Sequence, residues 1–111
     1  MIVLQTHEQL ESLFCRAGLD NSKHPEVAII YFTAKWCTAC KKLDLDKIVN
    51  SFPKAFFYKL DIDELDHSAG WCNVYKIPSF IVIKRGKFRT PFTSSETETV
   101  IQNVQNIISE V

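Results

Sequence analysis

Two cysteines separated by two residues, Cys37 and Cys40, are the side chains in this sequence best suited to covalent chemistry. They lie between a predicted buried strand and a predicted amphipathic helix, so Cys37 is expected at the N-terminus of that helix. Backbone N–H groups and the helix dipole stabilise an anion there, and we expect Cys37 to ionise more readily than a free cysteine. Cys40, one turn further along, is expected to face the core and to be less exposed. The pair predicts dithiol–disulfide exchange, with Cys37 as nucleophile and Cys40 as resolving cysteine.

Metal binding is an alternative use of this cysteine spacing. Zinc ribbons share the spacing, but they need a second cysteine pair or a cluster of cysteine and histidine. Here Cys72 stands alone, and the histidines are scattered at His7, His24 and His67. Exchange without a metal or a bound organic cofactor is therefore favoured. Zinc or a metal cluster held between two chains by the cysteine pair is kept as a further interpretation.

The other two cysteines are expected to be structural. Cys15 lies one step away from the apolar face of the first predicted helix. Cys72 follows Trp71 and precedes Pro78 by six residues, so regulation or an intermolecular disulfide is its alternative role. Because unpaired cysteines are usually buried as small apolar residues, a structural role is favoured for both.

Hydrophobic spacing divides the chain into strands and helices. Strands are predicted at Met1–Leu4, Val27–Phe32, Ala55–Ile62, Ser79–Ile83 and Phe88–Phe92. The last two strands bracket a glycine-containing turn and are expected to form an antiparallel hairpin. Helices are predicted from a Thr6/Gln9 capping box to Gly18, after Cys40 to Pro53, around Leu65–Cys72, and from a Ser95/Glu98 capping box to Val111.

The order of these elements predicts an α/β fold, in which a central mixed β-sheet has helices on both faces. The unbroken apolar run Val27–Phe32 suits a central strand that is covered on both sides. The length of 111 residues, at roughly 100–200 residues per domain, predicts a single domain over residues 1–111.

Charge and hydropathy disfavour several classes of function. The chain has 13 basic and 13 acidic residues and no block of like charges, so binding to nucleic acid or to an anionic membrane is not expected. The longest apolar run is far shorter than the ~20 residues of a membrane-spanning helix. The first residues also lack a basic region followed by an apolar stretch. We therefore expect a cytoplasmic protein that acts as a reductant.

Three segments of the sequence resemble the thioredoxin family. Ala34–Lys41 is similar to its active-site segment, Lys59–Asp63 to its third strand, and Val74–Phe80 to the loop that carries its cis-proline. The resemblance covers nearly the whole chain and implies a thioredoxin fold, with Pro78 cis and packed near the two sulfurs. It also implies that the Ile77 backbone pairs with an extended substrate peptide. A disulfide reductase such as a thioredoxin reductase is the electron donor that it implies.

The sequence departs from the family at several positions. Thr38-Ala39 replaces the usual Gly-Pro between the cysteines, so the reduction potential of the family does not transfer. Leu45 replaces a proline, which predicts a helix without the family's kink. Thr90 and Ser94 replace glycines that let a partner's backbone approach, which predicts a narrower docking surface.

The deepest departure is Tyr31, which stands six residues before Cys37, where the family usually buries an aspartate thought to relay the resolving cysteine's proton. A phenol, with an ordinary pKa of ~10, is a poor base at neutral pH. Lys59 matches the family's inward lysine, and an exposed strand lysine is its alternative. We hypothesise that Lys59 and the Tyr31 hydroxyl interact below the active site, favouring the Cys37 thiolate while slowing the deprotonation of Cys40.

Together these features predict a thiol–disulfide oxidoreductase that reduces protein disulfides through Cys37 and Cys40. Trp36 is expected to expose part of its ring beside the reactive thiol and to shape the substrate surface, with burial in the core as the alternative. The alternative function is a thioredoxin-fold interaction module in which the missing carboxylate and the Thr38-Ala39 dipeptide make exchange slow.

Overall fold

The computed structural model describes residues 1–15, 27–85 and 87–110, apart from the side chains of Phe14 and Cys15. Its strands are β1 (Ile2–Val3), β2 (Val27–Thr33), β3 (Phe56–Asp61), β4 (Ser79–Lys84), β5 (Lys87–Phe88) and β6 (Phe92–Thr93). Its α-helices are α1 (His7–Cys15), α2 (Leu45–Ser51), α3 (Asp66–Trp71) and α4 (Thr97–Ser109). A 3-10 turn spans Cys40–Lys42.

β2 is a central strand of the sheet, and all seven of its residues are buried. The described strands pair in the order β1-β3-β2-β4-β5, and β6 also pairs with β4. β1, β3 and β2 run parallel, whereas β4 is antiparallel to β2, β5 and β6. A strand covered on both faces needs apolar residues throughout, which is why the sequence of β2 shows no alternation. The predicted mixed sheet is confirmed.

Helices cover both faces of the sheet, as predicted. On one face, Ile48 of α2 and Val100 and Val104 of α4 belong to a single apolar cluster. On the other face, Leu10 of α1 and Ala69 of α3 belong to a second cluster. The cysteine pair belongs to the first cluster, so the reactive sulfurs lie on the α2/α4 side of the sheet.

The predicted N-terminus of α1 is confirmed. The Gln9 N–H donates to Thr6 Oγ1 at 3.2 Å, and the Thr6 N–H donates to Gln9 Oε1 at 3.2 Å. These reciprocal bonds satisfy backbone donors that have no partner inside the helix. The predicted end of this helix at Gly18 lies outside the described residues.

The single helix predicted after the cysteine pair is interrupted. The 3-10 turn ends at Lys42, Leu43 is extended with φ −78° and ψ 138°, and α2 begins only at Leu45. Asp44 explains the break, because its side chain accepts a hydrogen bond from the Lys47 N–H at 3.1 Å and so caps a new helix. The expectations of a helix that begins at the pair, and of an unkinked helix with Leu45 in place of proline, are therefore wrong.

The hairpin predicted after α3 is confirmed, but its second strand is split in two. β5 pairs Phe88 with Ile83, whereas β6 pairs Phe92 with Phe80. Three residues separate Phe88 from Phe92, whereas only two separate Phe80 from Ile83 on β4. The extra residue forms a β-bulge. Pro91 lies in this stretch and has no N–H for the ladder, so a continuous strand over Phe88–Phe92 does not form.

The start of α4 differs by one residue from the prediction. The N-cap is Glu96, without a side-chain cap, rather than Ser95. Glu98 forms an ion pair with Lys47 of α2 instead of reaching back to the backbone. The predicted Ser95/Glu98 capping box is therefore wrong, because the contact between the two helices takes the glutamate. α4 ends at Ser109, and the last residue of the chain lies outside the described part.

Candidate active site

The cysteine pair lies in the loop that follows β2. The Cys37 N–H donates to the Ala34 carbonyl at 3.1 Å, which closes a tight turn directly after the strand. Cys37 and Cys40 form a disulfide, with their Cα atoms 5.3 Å apart. The structure is therefore that of the oxidised pair.

One backbone donor is aimed at the sulfur of Cys37. The Cys40 N–H donates to Cys37 Sγ at 3.1 Å, while the next N–H, that of Lys41, bonds to the Thr38 carbonyl within the 3-10 turn. This donor takes the place of the α-helix N-terminus that the sequence predicted. A hydrogen bond from an N–H stabilises a sulfur anion, so the same local geometry favours the Cys37 thiolate once the disulfide is reduced.

The prediction that Cys40 is less exposed than Cys37 is wrong for this oxidised form. Cys37 is 3% exposed and Cys40 is 6% exposed. In a disulfide each sulfur covers the other, and both residues also belong to the apolar cluster on the α2/α4 face. Trp36 and Thr38, which flank Cys37, are exposed, so the pair is approached along this loop.

The pairing of β2 with β4 brings a second loop to the cysteine pair. Phe32, near the end of β2, is opposite Ser79 at the start of the antiparallel β4. The residues that follow Phe32 and those that precede Ser79 therefore leave the sheet at the same edge. The Ile77–Pro78 peptide bond in the second loop is cis, as the family resemblance implied. Ile77 packs against the cluster that contains both cysteines.

Polar contacts hold the cis-proline loop in place. The Ser79 hydroxyl donates to the Lys76 carbonyl, so Thr93 Oγ1, which lies 2.7 Å from Ser79 Oγ, is the donor of the second bond. The Pro78 carbonyl accepts from the Ser94 N–H at 3.2 Å. The loop is thus fixed to β6 and the residue that follows it.

Trp36 is 62% exposed, and the prediction of a partly exposed ring is confirmed. Its indole Nε1 donates to Asp63 Oδ2 at 2.8 Å, across 27 positions of sequence. Sequence reasoning missed this anchor, since the contact depends on how β2 and β3 pair and leaves no local signal. It also missed Tyr75, two residues before Ile77, whose side chain is 80% exposed.

A buried phenol lies on the cysteine-bearing face of β2. Tyr31 is 2% exposed, and its ring stacks on Phe80 with centroids 5.2 Å apart. Burial raises the pKa of Tyr31, against a smaller opposing contribution from the Thr33 side chain. Lys59 is paired with Tyr31 in the β2–β3 register and is half-buried, but the two side chains form no hydrogen bond with each other. The hypothesised hydrogen bond between Lys59 and the Tyr31 hydroxyl is therefore wrong. Tyr31 therefore keeps its proton at neutral pH.

His7 and His67, the histidines that the structure describes, do not gather around the cysteine pair. His7 Nδ1 is 2.7 Å from Ser68 Oγ, and its Nε2 is 2.9 Å from Glu11 Oε1. The His67 ring meets that of His7 edge-on at 4.9 Å, and His24 lies outside the described residues. Over residues 1–15, 27–85 and 87–110, no three His, Cys, Asp or Glu side chains are grouped to hold a metal ion.

Cys72 packs on the other face of the sheet, against the cluster of α1 and α3. Its thiol is free, and burial raises its pKa to about 11. A thiol that stays protonated is a poor nucleophile, which supports the structural role expected for Cys72. The side chain of Cys15 lies outside the described residues, so the expectation for it stays a prediction.

Comparison with known proteins gives a consistent match. A family model described as Thioredoxin matches residues 16–106. Thioredoxin H7 of Arabidopsis thaliana is 24% identical over 95% of this chain and 80% of its own length. Thioredoxin H2-2 of Oryza sativa subsp. japonica is 29% identical over 83% of this chain and 70% of its own. The X-ray structure of Fasciola hepatica thioredoxin covers 96% of this chain and 98% of its own, with a TM-score of 0.79 and 25% identity. The expected fold is confirmed.

Among the described residues, no helix has the length and apolarity that crossing a membrane requires.

The free thiol provides a test of the packing around α3. We predict that Cys72 of the folded, oxidised protein reacts slowly with iodoacetamide at neutral pH, and that its rate rises toward about pH 11, where the thiol ionises. Mass spectrometry in a Cys15→Ser background measures the rate at Cys72 alone. The unfolded protein is the control and should react readily at lower pH, because an ordinary cysteine ionises near ~8.5. Equal rates in the folded and unfolded protein at neutral pH would contradict the burial of this thiol.

Proposed function

The chain belongs to the thioredoxin family, and from that premise we propose how Cys37 and Cys40 carry out its reaction. The protein is a thiol–disulfide oxidoreductase of the thioredoxin type, and this family acts on protein disulfides. The observation that carries this conclusion is the disulfide between Cys37 and Cys40, at the sheet edge where the cis Ile77–Pro78 bond also lies.

In the proposed reaction, the Cys37 thiolate attacks one sulfur of a target disulfide and forms a mixed disulfide. The other target sulfur leaves as a thiolate. The Cys40 thiolate then attacks Cys37 Sγ, which forms the Cys37–Cys40 disulfide again and releases the second target sulfur. Two electrons pass to the target, and the pair ends oxidised. The N–H donated by Cys40 to Cys37 Sγ at 3.1 Å supports the first role, because it stabilises the attacking anion.

The second step needs an acceptor for the Cys40 proton. Tyr31 is unsuited to this task, because burial raises its pKa and the phenol keeps its own proton. Lys59 lies at the paired position of β3, and a lysine side chain that only donates offers no acceptor for that proton. We therefore propose that release of the target by Cys40, rather than attack by Cys37, is the slower step.

Substrates are proposed to dock along Trp36, Ile77 and Pro78. The Trp36 ring offers an exposed apolar surface that Asp63 holds in one orientation. The Ile77 backbone makes no hydrogen bond in the turns and loops that the structure describes, which supports its pairing with an extended peptide. Pro78 has no N–H that competes for that peptide.

The electron donor proposed for this chain is a disulfide reductase such as a thioredoxin reductase. We also propose that the protein works as a reductant in the cytoplasm. The single sheet that connects β1 through β6 supports the proposal that residues 1–111 form one domain.

A second candidate function is a thioredoxin-fold interaction module with slow exchange. The buried phenol of Tyr31 favours this alternative, since nothing at that position removes the Cys40 proton quickly. In such a module, the exposed rings of Trp36 and Tyr75 would bind a partner, and the disulfide would turn over no faster than a thiol in solution.

Insulin reduction separates these two functions. We predict that the protein accelerates insulin precipitation by dithiothreitol, and that Cys37→Ser abolishes the acceleration because it removes the nucleophile. Cys72→Ser is the matched control and should keep the full rate, since that thiol lies on the opposite face of the sheet. Precipitation no faster than with dithiothreitol alone, from folded wild-type protein, would favour the interaction module.

The proton-transfer proposal has its own test at Tyr31. We predict that Tyr31→Asp speeds resolution of the mixed disulfide at least about tenfold, because a carboxylate accepts the proton of Cys40. This increase is smaller than the ~10²–10⁴ that a well-placed catalytic base gives. Stopped-flow tryptophan fluorescence measures the rate. Tyr31→Phe is the control, since it removes the hydroxyl and adds no base, and its rate should match the wild type. If Tyr31→Asp folds, as circular dichroism reports, and resolves its mixed disulfide no faster, the proposal is wrong.

A further inference from the structure

A second concave site lies at the opposite end of the sheet from the cysteine pair. It is a cavity of about 780 Å³ between the start of β2, the loop after α2, the end of β4, the start of β5 and the end of α4. β2 runs from Val27 at this cavity to Thr33 near the disulfide, and its seven residues span about 20 Å. The volume falls in the range of small-molecule binding sites, and the distance makes the cavity separate from the exchange site.

The floor of the cavity is apolar. Val27 and Phe52 line it, and both are buried members of the cluster on the α2/α4 face. Ala55 and Ile108 also line it, and both are half-buried against the same cluster. The cavity is therefore the open end of one hydrophobic core, where an apolar ligand would displace water.

The rim of the cavity is strongly basic. Its charged lining residues are five basic side chains and one acidic side chain: Lys54, Lys84, Arg85, Lys87, Arg89 and Glu110. The whole chain has 13 basic residues and a formal net charge of zero, so positive charge is concentrated at this opening. A low-dielectric cavity with cations at its rim attracts anions.

Two of these cations are occupied by the end of α4. Lys84 Nζ donates to the Ile108 carbonyl at 2.7 Å and to the Glu110 carbonyl, and Arg89 Nη2 lies 2.6 Å from Glu110 Oε2. The side chains of Lys54 and Lys87 are exposed and have no hydrogen-bond or ion-pair partner among the described residues. Within that part of the chain, these two side chains are available to a ligand.

We propose that this cavity binds a small organic anion with an apolar ring system or chain. Its apolar body would lie on Val27, Phe52 and Ile108, and its acidic group would face Lys54 and Lys87. The concave shape favours a single molecule over a membrane surface, which is bound by a protruding apolar face.

Anilinonaphthalene sulfonate is a suitable probe, because it joins an aromatic body to one anionic group. Phenylnaphthylamine has the same aromatic body without the charge. We expect saturable one-to-one binding of the sulfonate, measured by its fluorescence, and about tenfold weaker binding of the neutral compound, which corresponds to ~1.4 kcal/mol. Equal affinity for the two compounds, or no saturable binding of the sulfonate, would overturn the proposal.

A pair of double variants tests the location of the site. Lys54→Gln/Lys87→Gln should weaken binding of the sulfonate about tenfold, or ~1.4 kcal/mol, and leave binding of the neutral compound unchanged. Lys41→Gln/Lys42→Gln removes the same charge near the disulfide and should not alter dye binding, because salt screens charges beyond about 8 Å. Sulfonate binding that is unaffected by Lys54→Gln/Lys87→Gln would overturn the proposal.

The same experiments separate this site from disulfide exchange. Lys54→Gln/Lys87→Gln should reduce insulin at the wild-type rate, since both lysines lie at the far end of the sheet. Binding to anionic vesicles without binding of the free dye would assign the cavity to a membrane surface. Self-association that displaces the dye, measured by sedimentation, would assign it to a second copy of the chain. Either outcome would overturn the proposal.

Discussion

The pairing of β2 with β4 is the constraint on which the active site depends. With Phe32 opposite Ser79, the two antiparallel strands bring the disulfide loop and the cis-proline loop to one edge of the sheet. The two loops lie about 40 residues apart in the sequence, so the strand pairing, rather than proximity along the chain, brings them together. The register is fixed because β2 is buried on both faces, and a slip by one residue would turn Tyr31 and its neighbours to the wrong side.

Burial of β2 also has a consequence for proton transfer. Tyr31 lies on the cysteine-bearing face, where its ring stacks on Phe80. A carboxylate at the same position would lose hydration and would need a partner to compensate. The phenol packs in the core and keeps its proton. In the proposed mechanism, this position therefore stabilises the fold but provides no base for Cys40, so stability and the rate of target release compete at one residue.

Elements with a long and regular hydrophobic pattern could be predicted from the sequence. β2 is evident as an unbroken apolar run, and α4 keeps helical spacing over several turns, and the packing follows both patterns. The break before α2 could not be predicted, because it depends on whether Asp44 caps a new helix or continues the helix that precedes it. Most of α4 was predicted, yet its first residue was not, since Glu98 is taken by Lys47 of another helix.

Some features of the active site could likewise be predicted from the sequence, and others could not. The cysteine pair was evident from spacing, but the Trp36–Asp63 contact depends on the strand register and had no sequence signal. The cis state of Pro78 came from the family resemblance, because only about 5–6% of X-Pro bonds in folded proteins are cis. The similar burial of the two cysteines depends on oxidation, which no residue pattern encodes.

Exchange by this pair requires that the Cys37 sulfur be stabilised as an anion. The thiolate absorbance of Cys37 as a function of pH measures this directly, in a Cys40→Ser protein that also carries Cys15→Ser and Cys72→Ser. We predict a midpoint below the ~8.5 of free cysteine. A midpoint at or above that value would show that the Cys37 thiolate is not stabilised.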